Sequence, residues 1–288
     1  MNSTPGVDTL RLAVAAVRHG GGARQLALQV RRDGPDVIRV LYEQLARDLR
    51  DGIEAEAQLL EAGGADAVVL GHERYPSMLA SLRQAPPALF YLGNSELLAM
   101  PSVGMCGSRH ATDQGLGAAR ACGEEAARCG LAVISGYARG VDTEAHAGAL
   151  DTEGRTIMVL AEGIRRFKTK RWLASRTRDP HQVAVVSQFP PTQPWSVRTA
   201  MTRNAVIVGL GLGLVVIEAG ESGGTLAAGM QALDMGRPVF ALEFKNEMPP
   251  GNKILLDRGA VPVRSRGQLR ERLQQLLSGD HAGQLRLV

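Results

Sequence analysis

From Pro101 onward the chain alternates short apolar runs with helix-period segments, and this alternation restricts the possible folds more than any other feature of the sequence. Residues 103–106, 132–135, 156–160, 183–187, 214–217, 238–241 and 261–263 are short, apolar and rich in Val, Ile and Leu, which reads as buried parallel strands. The intervening 115–129, 142–153, 224–235 and 252–258 suit crossover helices. The pattern predicts an α/β fold, a Rossmann-like doubly wound and mostly parallel sheet, closed by a helix over 266–277 and preceded by a small helical domain. In that N-terminal part, 37–49 and 54–60 carry apolar residues at helical spacing, and Gly20-Gly21-Gly22 reads as a loop between two helices because no strand precedes it. A Pro-containing passage from Tyr75-Pro76 to Pro101 follows. The expected division is therefore 1–100, a helical domain and linker, and 101–288, the Rossmann-like domain.

The chain has 288 residues, 44% of them hydrophobic and 22% charged, a balance that excludes disorder as the main state. With 34 Gly against two Trp, four Tyr and five Phe, its core must be built from small aliphatic side chains in close layers. No apolar run approaches the length of a membrane span, and the opening MNSTPGVDTL lacks the basic and apolar regions of a signal peptide, so a cytoplasmic protein is expected. Cys106, Cys122 and Cys129 form no CxxC pair and read as buried thiols, not as zinc ligands or disulfides.

Charge is unevenly placed. The net is +4, yet 155–203 alone holds ten basic residues against two acidic ones, so a basic surface lies on a mildly acidic body. A polyanionic partner is expected.

In a doubly wound sheet, ligands sit beyond the carboxyl ends of the strands, where the loops here are unusual. The first strand is followed by Gly107-Ser108-Arg109, with Thr112 and Gly115 at the next helix start. The second is followed by Gly136-Tyr137-Ala138-Arg139-Gly140-Val141-Asp142, then His146. After Ile217 comes Glu218-Ala219-Gly220-Glu221-Ser222-Gly223-Gly224-Thr225, and Arg203-Asn204 and Gly251-Asn252-Lys253 add polar donors. Glycine admits an anion close to the backbone, helix N-terminal amides point at it and guanidinium groups bind phosphate bidentately, so the loops predict a phosphate-binding rim. The first loop is not GxGxxG, and no acidic residue follows the second strand to grip a ribose, which disfavours NAD chemistry. There is no nucleophile elbow or P-loop. Asp142 is expected to cap the helix that begins there, and His146 to pack one turn later.

The ordered runs Gly107-Ser108-Arg109, Ser135 to Asp142 with Ala145-His146, Gln188-Phe189-Pro190-Pro191, Arg203-Asn204 and Gly251-Asn252, together with Tyr75-Pro76 and the stretch Pro86 to Gly93, resemble the DNA-processing protein A family, DprA or Smf. The resemblance spans about 75–263 and implies a non-enzymatic protein that binds and protects single-stranded DNA and loads RecA recombinase onto it during natural transformation. It implies a homodimer, formed through the C-terminal part of the Rossmann domain, and no cofactor or membrane partner. It places Arg109, Gly136, Arg139 and Gly140 at a phosphate pocket; Gly107, Ser108, Arg203, Asn204, Ser222, Gly223, Gly224 and Thr225 complete the expected DNA-binding set.

Three departures from the family pattern stand out. The Tyr-Pro of the loop after the third strand is replaced by Ala161-Glu162-Gly163-Ile164-Arg165-Arg166-Phe167-Lys168-Thr169-Lys170-Arg171-Trp172, where Lys168 or Lys170 takes over the basic contact and Phe167 or Trp172 is available to stack a base. The usual Ser-Gly-Ser is Ser222-Gly223-Gly224-Thr225, and the winged-helix domain that many members carry after the sheet is not expected here. Two alternatives stay open: a sensor holding a small nucleotide, in a defence context, and a phosphoribohydrolase-like enzyme. The latter's helical catalytic Glu is missing from Leu226-Ala227-Ala228-Gly229.

Overall fold

The computed structural model describes residues 5–177, 179–245 and 247–279. Arg178 of the basic stretch and the polar tail after 279 lie outside them. The N-terminal part forms α1 (Pro5–His19), α2 (Ala23–Asp33), α3 (Asp36–Gln44) and α4 (Arg47–Ala62), then β1 (Asp66–Val69), α5 (Ser77–Ala80) and β2 (Ala88–Gly93). There follow β3 (Ser102–Cys106), α6 (Asp113–Arg128), β4 (Ala132–Gly136), α7 (Val141–Asp151), β5 (Thr156–Val159), α8 (Arg171–Ala174) and β6 (Val183–Ser187). The chain continues through α9 (Val197–Leu210), β7 (Leu214–Val216), α10 (Gly224–Asp234), β8 (Val239–Leu242), α11 (Pro250–Asp257), β9 (Val261–Val263) and α12 (Arg266–Ser278).

Among the described residues the strands make one nine-stranded sheet in the order β1-β2-β6-β5-β4-β3-β7-β8-β9. From β6 to β9 every pairing is parallel, and β1 and β2 extend the β6 edge antiparallel. All seven expected strands form, at or within a residue or two of their predicted ends. The sheet, however, begins before Pro101: Ala88 to Tyr91, buried throughout, pairs with β1, and Phe90 to Gly93 pairs with 184–187 of β6. The expected helix over 37–49 is interrupted, because Leu45 and Ala46 turn extended (ψ 146° and 153°) and half-buried Leu45 packs on the core. The triple glycine does link α1 to α2.

Two apolar layers hold the sheet. Along β3, Val103 and Met105 face a core shared with Ala119, Cys122 and Ala126 of α6 and Ala145 and Ala149 of α7. Cys106 faces the other core, with Val206 and Ile207 of α9 and Ala228 of α10. Period-two alternation thus puts α6, α7 and α12 on one face and α9, α10 and α11 on the other. The N-terminal helices join the second core through Leu10, Val14, Leu26 and Ile38, packed on the β1–β2 edge. Cys106 and Cys122 are buried free thiols and Cys129 is half-buried.

The strand order reverses at β3. Successive strands step outward from β3 through β4 and β5 to β6; α9 then carries the chain back to β7 on the other flank of β3. The carboxyl ends of β3 and β7 therefore bound the crevice where this architecture binds ligands.

Candidate nucleic-acid interface

At that crevice lies a trough with two lobes. The first, about 340 Å³, is lined by Gly107 and Arg109 after β3, Trp195, Met201, Arg203 and Asn204 on and before α9, and Gly224 and Thr225 at the start of α10. The second, about 350 Å³, continues past Arg109, Trp195 and Arg203 to Tyr137, Arg139, Glu162 and Lys170. Four cations, Arg109, Arg139, Lys170 and Arg203, thus face one continuous surface, although they come from four separate segments.

The loops are shaped by close backbone contact. Gly140 has φ +80°, and a Cβ there would lie 2.5 Å from the Ser108 carbonyl, which accepts the Val141 N–H at 3.2 Å. A Cβ at Gly107 would strike Val141. Gly136 ends β4 with no room for a side chain, because the Arg203 guanidinium and the Asp142 carboxylate both lie against it. Buried His146 braces the same turn, Nε2 2.7 Å from the Gly136 carbonyl and Nδ1 2.5 Å from Thr156 Oγ1. A carbonyl only accepts, so Nε2 carries the proton it donates to Gly136; Thr156 Oγ1 stands between Nδ1 and the Val133 carbonyl, 2.9 Å away, and its one proton serves only one of them. Burial pulls this imidazole down to about 4, keeping the ring neutral.

Arg203 is 7% exposed, and its Nε has no hydrogen-bond partner among the described residues. Burial lowers its pKa, opposed by the Asp142 charge. Asp142 itself accepts hydrogen bonds from Ser135 Oγ (2.9 Å) and the Ala138 N–H (3.3 Å). It does not cap α7. Gly140 holds the cap position, and the Asp142 carboxylate, one residue inside the helix, folds back onto its own loop.

Lys170 is latched to the second loop: its Nζ donates to the Tyr137 carbonyl at 2.6 Å and sits 4.1 Å from the Tyr137 ring centre. Burial lowers its pKa, with Asp142 and Glu162 opposing. Lys168 is exposed and lines neither lobe; its carbonyl accepts from Tyr137 Oη at 3.2 Å. Arg139 reaches His110, 2.5 Å from its Nε2. Asn204 donates to the Gly224 carbonyl at 3.1 Å and so fixes the mouth of α10 beside α9. Ser222 and Gly223 are exposed before α10 and line neither lobe, and Ser108 lines a separate hollow near Glu218.

Several expectations are corrected here. The α6 N-terminus does not face the trough with free amides, because Glu218 occupies it, accepting from the Thr112 N–H (3.2 Å) and Oγ1 (2.9 Å). Asn252 is buried and structural: its amide donates to the carbonyls of Ile217 and Leu242, and its Oδ1 accepts the Ala219 N–H. Phe167 and Trp172 turn inward, with ring centres 5.3 and 5.9 Å from Tyr137 and Trp172 stacked on His146 at 6.2 Å. The aromatic at the trough is Trp195, 46% exposed, with the Arg109 guanidinium 5.3 Å from its ring centre. The sequence signal for it was the Pro-rich run ending at Pro194 followed by Ser196 and Thr199, which form a capping box at the start of α9.

The family model for DNA recombination-mediator protein A matches residues 66–274. The chain belongs to this family. It is 31% identical to DNA processing protein DprA of Bacillus subtilis over 74% of its own length and 72% of the relative's. Against the Smf proteins of Synechocystis and Escherichia coli the alignments span only 56% and 61% of the relatives' lengths. Its fold is similar to the X-ray structure of DprA from Streptococcus pneumoniae, with TM-score 0.70 and 25% identity over 93% of this chain and 98% of that one. It is also similar in fold to DprA from Helicobacter pylori, a protein with a described single-stranded DNA binding mode (TM-score 0.63, 20% identity, 75% and 96% covered). Among the described residues no helix is long and apolar enough to cross a membrane.

Proposed function

We propose that this DprA-family chain binds single-stranded DNA along the basic trough and acts as a binder, not a catalyst, handing the strand to a RecA-type recombinase as a cytoplasmic homodimer in natural transformation. The convergence of Arg109, Arg139, Lys170 and Arg203 on one surface at the β3–β7 crevice carries the reading. Phosphate neutralisation supplies most of the affinity for a flexible strand. The Arg203 guanidinium, buried at the floor of both lobes, is a charge that a strand phosphate would pair with. The single-stranded DNA binding of the Helicobacter relative agrees with this. A phosphoribohydrolase reading is disfavoured because the start of α10 carries no carboxylate, and Ala228 and Gly229 are buried there.

The test is anisotropy of labelled oligo-dT titrated with the protein at several salt concentrations. The expected log-log salt slope is roughly −0.7 per phosphate contact. Arg109→Ala should weaken binding on the order of tenfold and flatten the slope by about 0.7. Binding that is absent, or that ignores strandedness and Arg109, would refute the reading and favour a small nucleotide ligand.

A further inference from the structure

Three of the eight exposed large hydrophobic side chains among the described residues, Trp195, Val197 and Met201, fall within seven residues of sequence, and all line the first lobe. Their exposures are 46%, 69% and 39%. Elsewhere in the parallel half of the sheet and its helices only Leu277 is comparable. Trp195 also borders the second lobe, so its ring stands at the junction of the two, ringed by cations. It is held there from both sides. The Pro-rich loop before it is tied to the basic loop after β5 by Gly163 N–H to Gln193 O (2.9 Å), Arg165 N–H to Pro191 O (3.1 Å) and Arg166 Nε to Thr192 O (2.7 Å), and the capping box locks the first turn after it.

We infer that Trp195, backed by Val197 and Met201, is the stacking platform for an unpaired nucleobase, and that it sets the trough's preference for single over double strands. This rests on the proposed function. A flat apolar ring inside a basic rim matches a ligand that alternates phosphate charge with flat apolar rings. Stacking accepts every base, which gives affinity without sequence preference. A duplex offers the same phosphates but hides its base faces, so it gains only the electrostatic part. The guanidinium of Arg109 beside the Trp195 ring positions a cation for the phosphate next to the stacked base.

The experiment compares oligo-dT with a duplex and with an abasic deoxyribose-phosphate oligomer, all of equal length, using the full chain, Trp195→Phe and Trp195→Ala. Far-ultraviolet circular dichroism checks that the variants fold, as expected for a half-exposed side chain. Trp172 is the other tryptophan, so the emission difference between the wild type and Trp195→Phe isolates Trp195. Oligo-dT should quench that difference and the abasic oligomer should not. Trp195→Ala should weaken oligo-dT binding roughly five- to a hundredfold, leave abasic binding within about twofold and erase single-strand preference, whereas Trp195→Phe retains most of it. Unquenched, undiminished oligo-dT binding would overturn the stacking role and leave the DNA reading standing. Equal loss for both oligomers would reduce Trp195 to a support for Arg109 and would also overturn it. Binding of neither oligomer by the wild type would overturn both readings.

Discussion

At the scale of single residues, the trough is made by side chains that are absent as much as by those present. Gly140 pairs a positive φ with a carbonyl 2.5 Å from where a Cβ would sit, so neither its backbone conformation nor its surroundings admit a side chain. Gly140→Ala should therefore cost roughly 2–4 kcal/mol, read as a lower urea midpoint with unchanged m-value. Gly136 differs: its φ is ordinary, and its constraint is the Arg203 guanidinium lying against it. A side chain at that position would displace the charge that floors both lobes.

Among the elements, α9 does the most. It crosses from β6 to β7, delivers Arg203 and Asn204, and begins with the apolar wall. Its start is secured by Ser196, whose Oγ accepts the Thr199 N–H at 3.0 Å while Thr199 Oγ1 accepts the Ser196 N–H at 2.9 Å. Ser196→Ala should lower stability by about 1 kcal/mol in thermal or urea unfolding. The basic loop after β5 and the Pro-rich loop before α9 act together, since three hydrogen bonds join them into a single rim. On the opposite face, α6 and α12 are joined by the buried Glu125. Burial works against its charge, but hydrogen bonds from Arg270 and Arg266 outweigh this and hold it below the usual carboxylate range.

For the whole molecule, these groups set the response to acid. His146 titrates near 6.5 when unfolded and about 4 when folded, so between those values the unfolded chain binds the extra proton. Stability is then full above about pH 6.5 and falls as the pH drops towards 4, by roughly 3 kcal/mol from this residue. Glu125 has the lowered folded pKa of a paired acid; its contribution is present above the ordinary value of 4.5 and is lost only as the pH falls below it. Urea titrations at pH 7, 6 and 5 should show this decline in the wild type and a flatter profile in His146→Gln. An equal slope in both would assign the decline to other groups.

Read alone, the sequence determined the parallel half of the sheet, because buried strands flanked by Gly-rich turns carry a local signal strong enough to survive without neighbours. The Gly-Arg loops after β3 and β4 were legible for the same reason. What it could not show were partnerships decided by distant packing. Residues 88–93 lie in a proline-punctuated stretch and become a strand only because β6 offers an unpaired edge. Helix α9 is buried all round over its last turns, from Val206 to Leu210, so it lacks the polar face that marks a helix in sequence. Phe167 and Trp172 sit among cations in sequence yet face Tyr137 and His146 in space, while Trp195, next to no cation in sequence, meets Arg109. Local propensity chooses elements, but which side of an element meets solvent depends on what packs against the other side, and that is settled only when the sheet closes over its two layers.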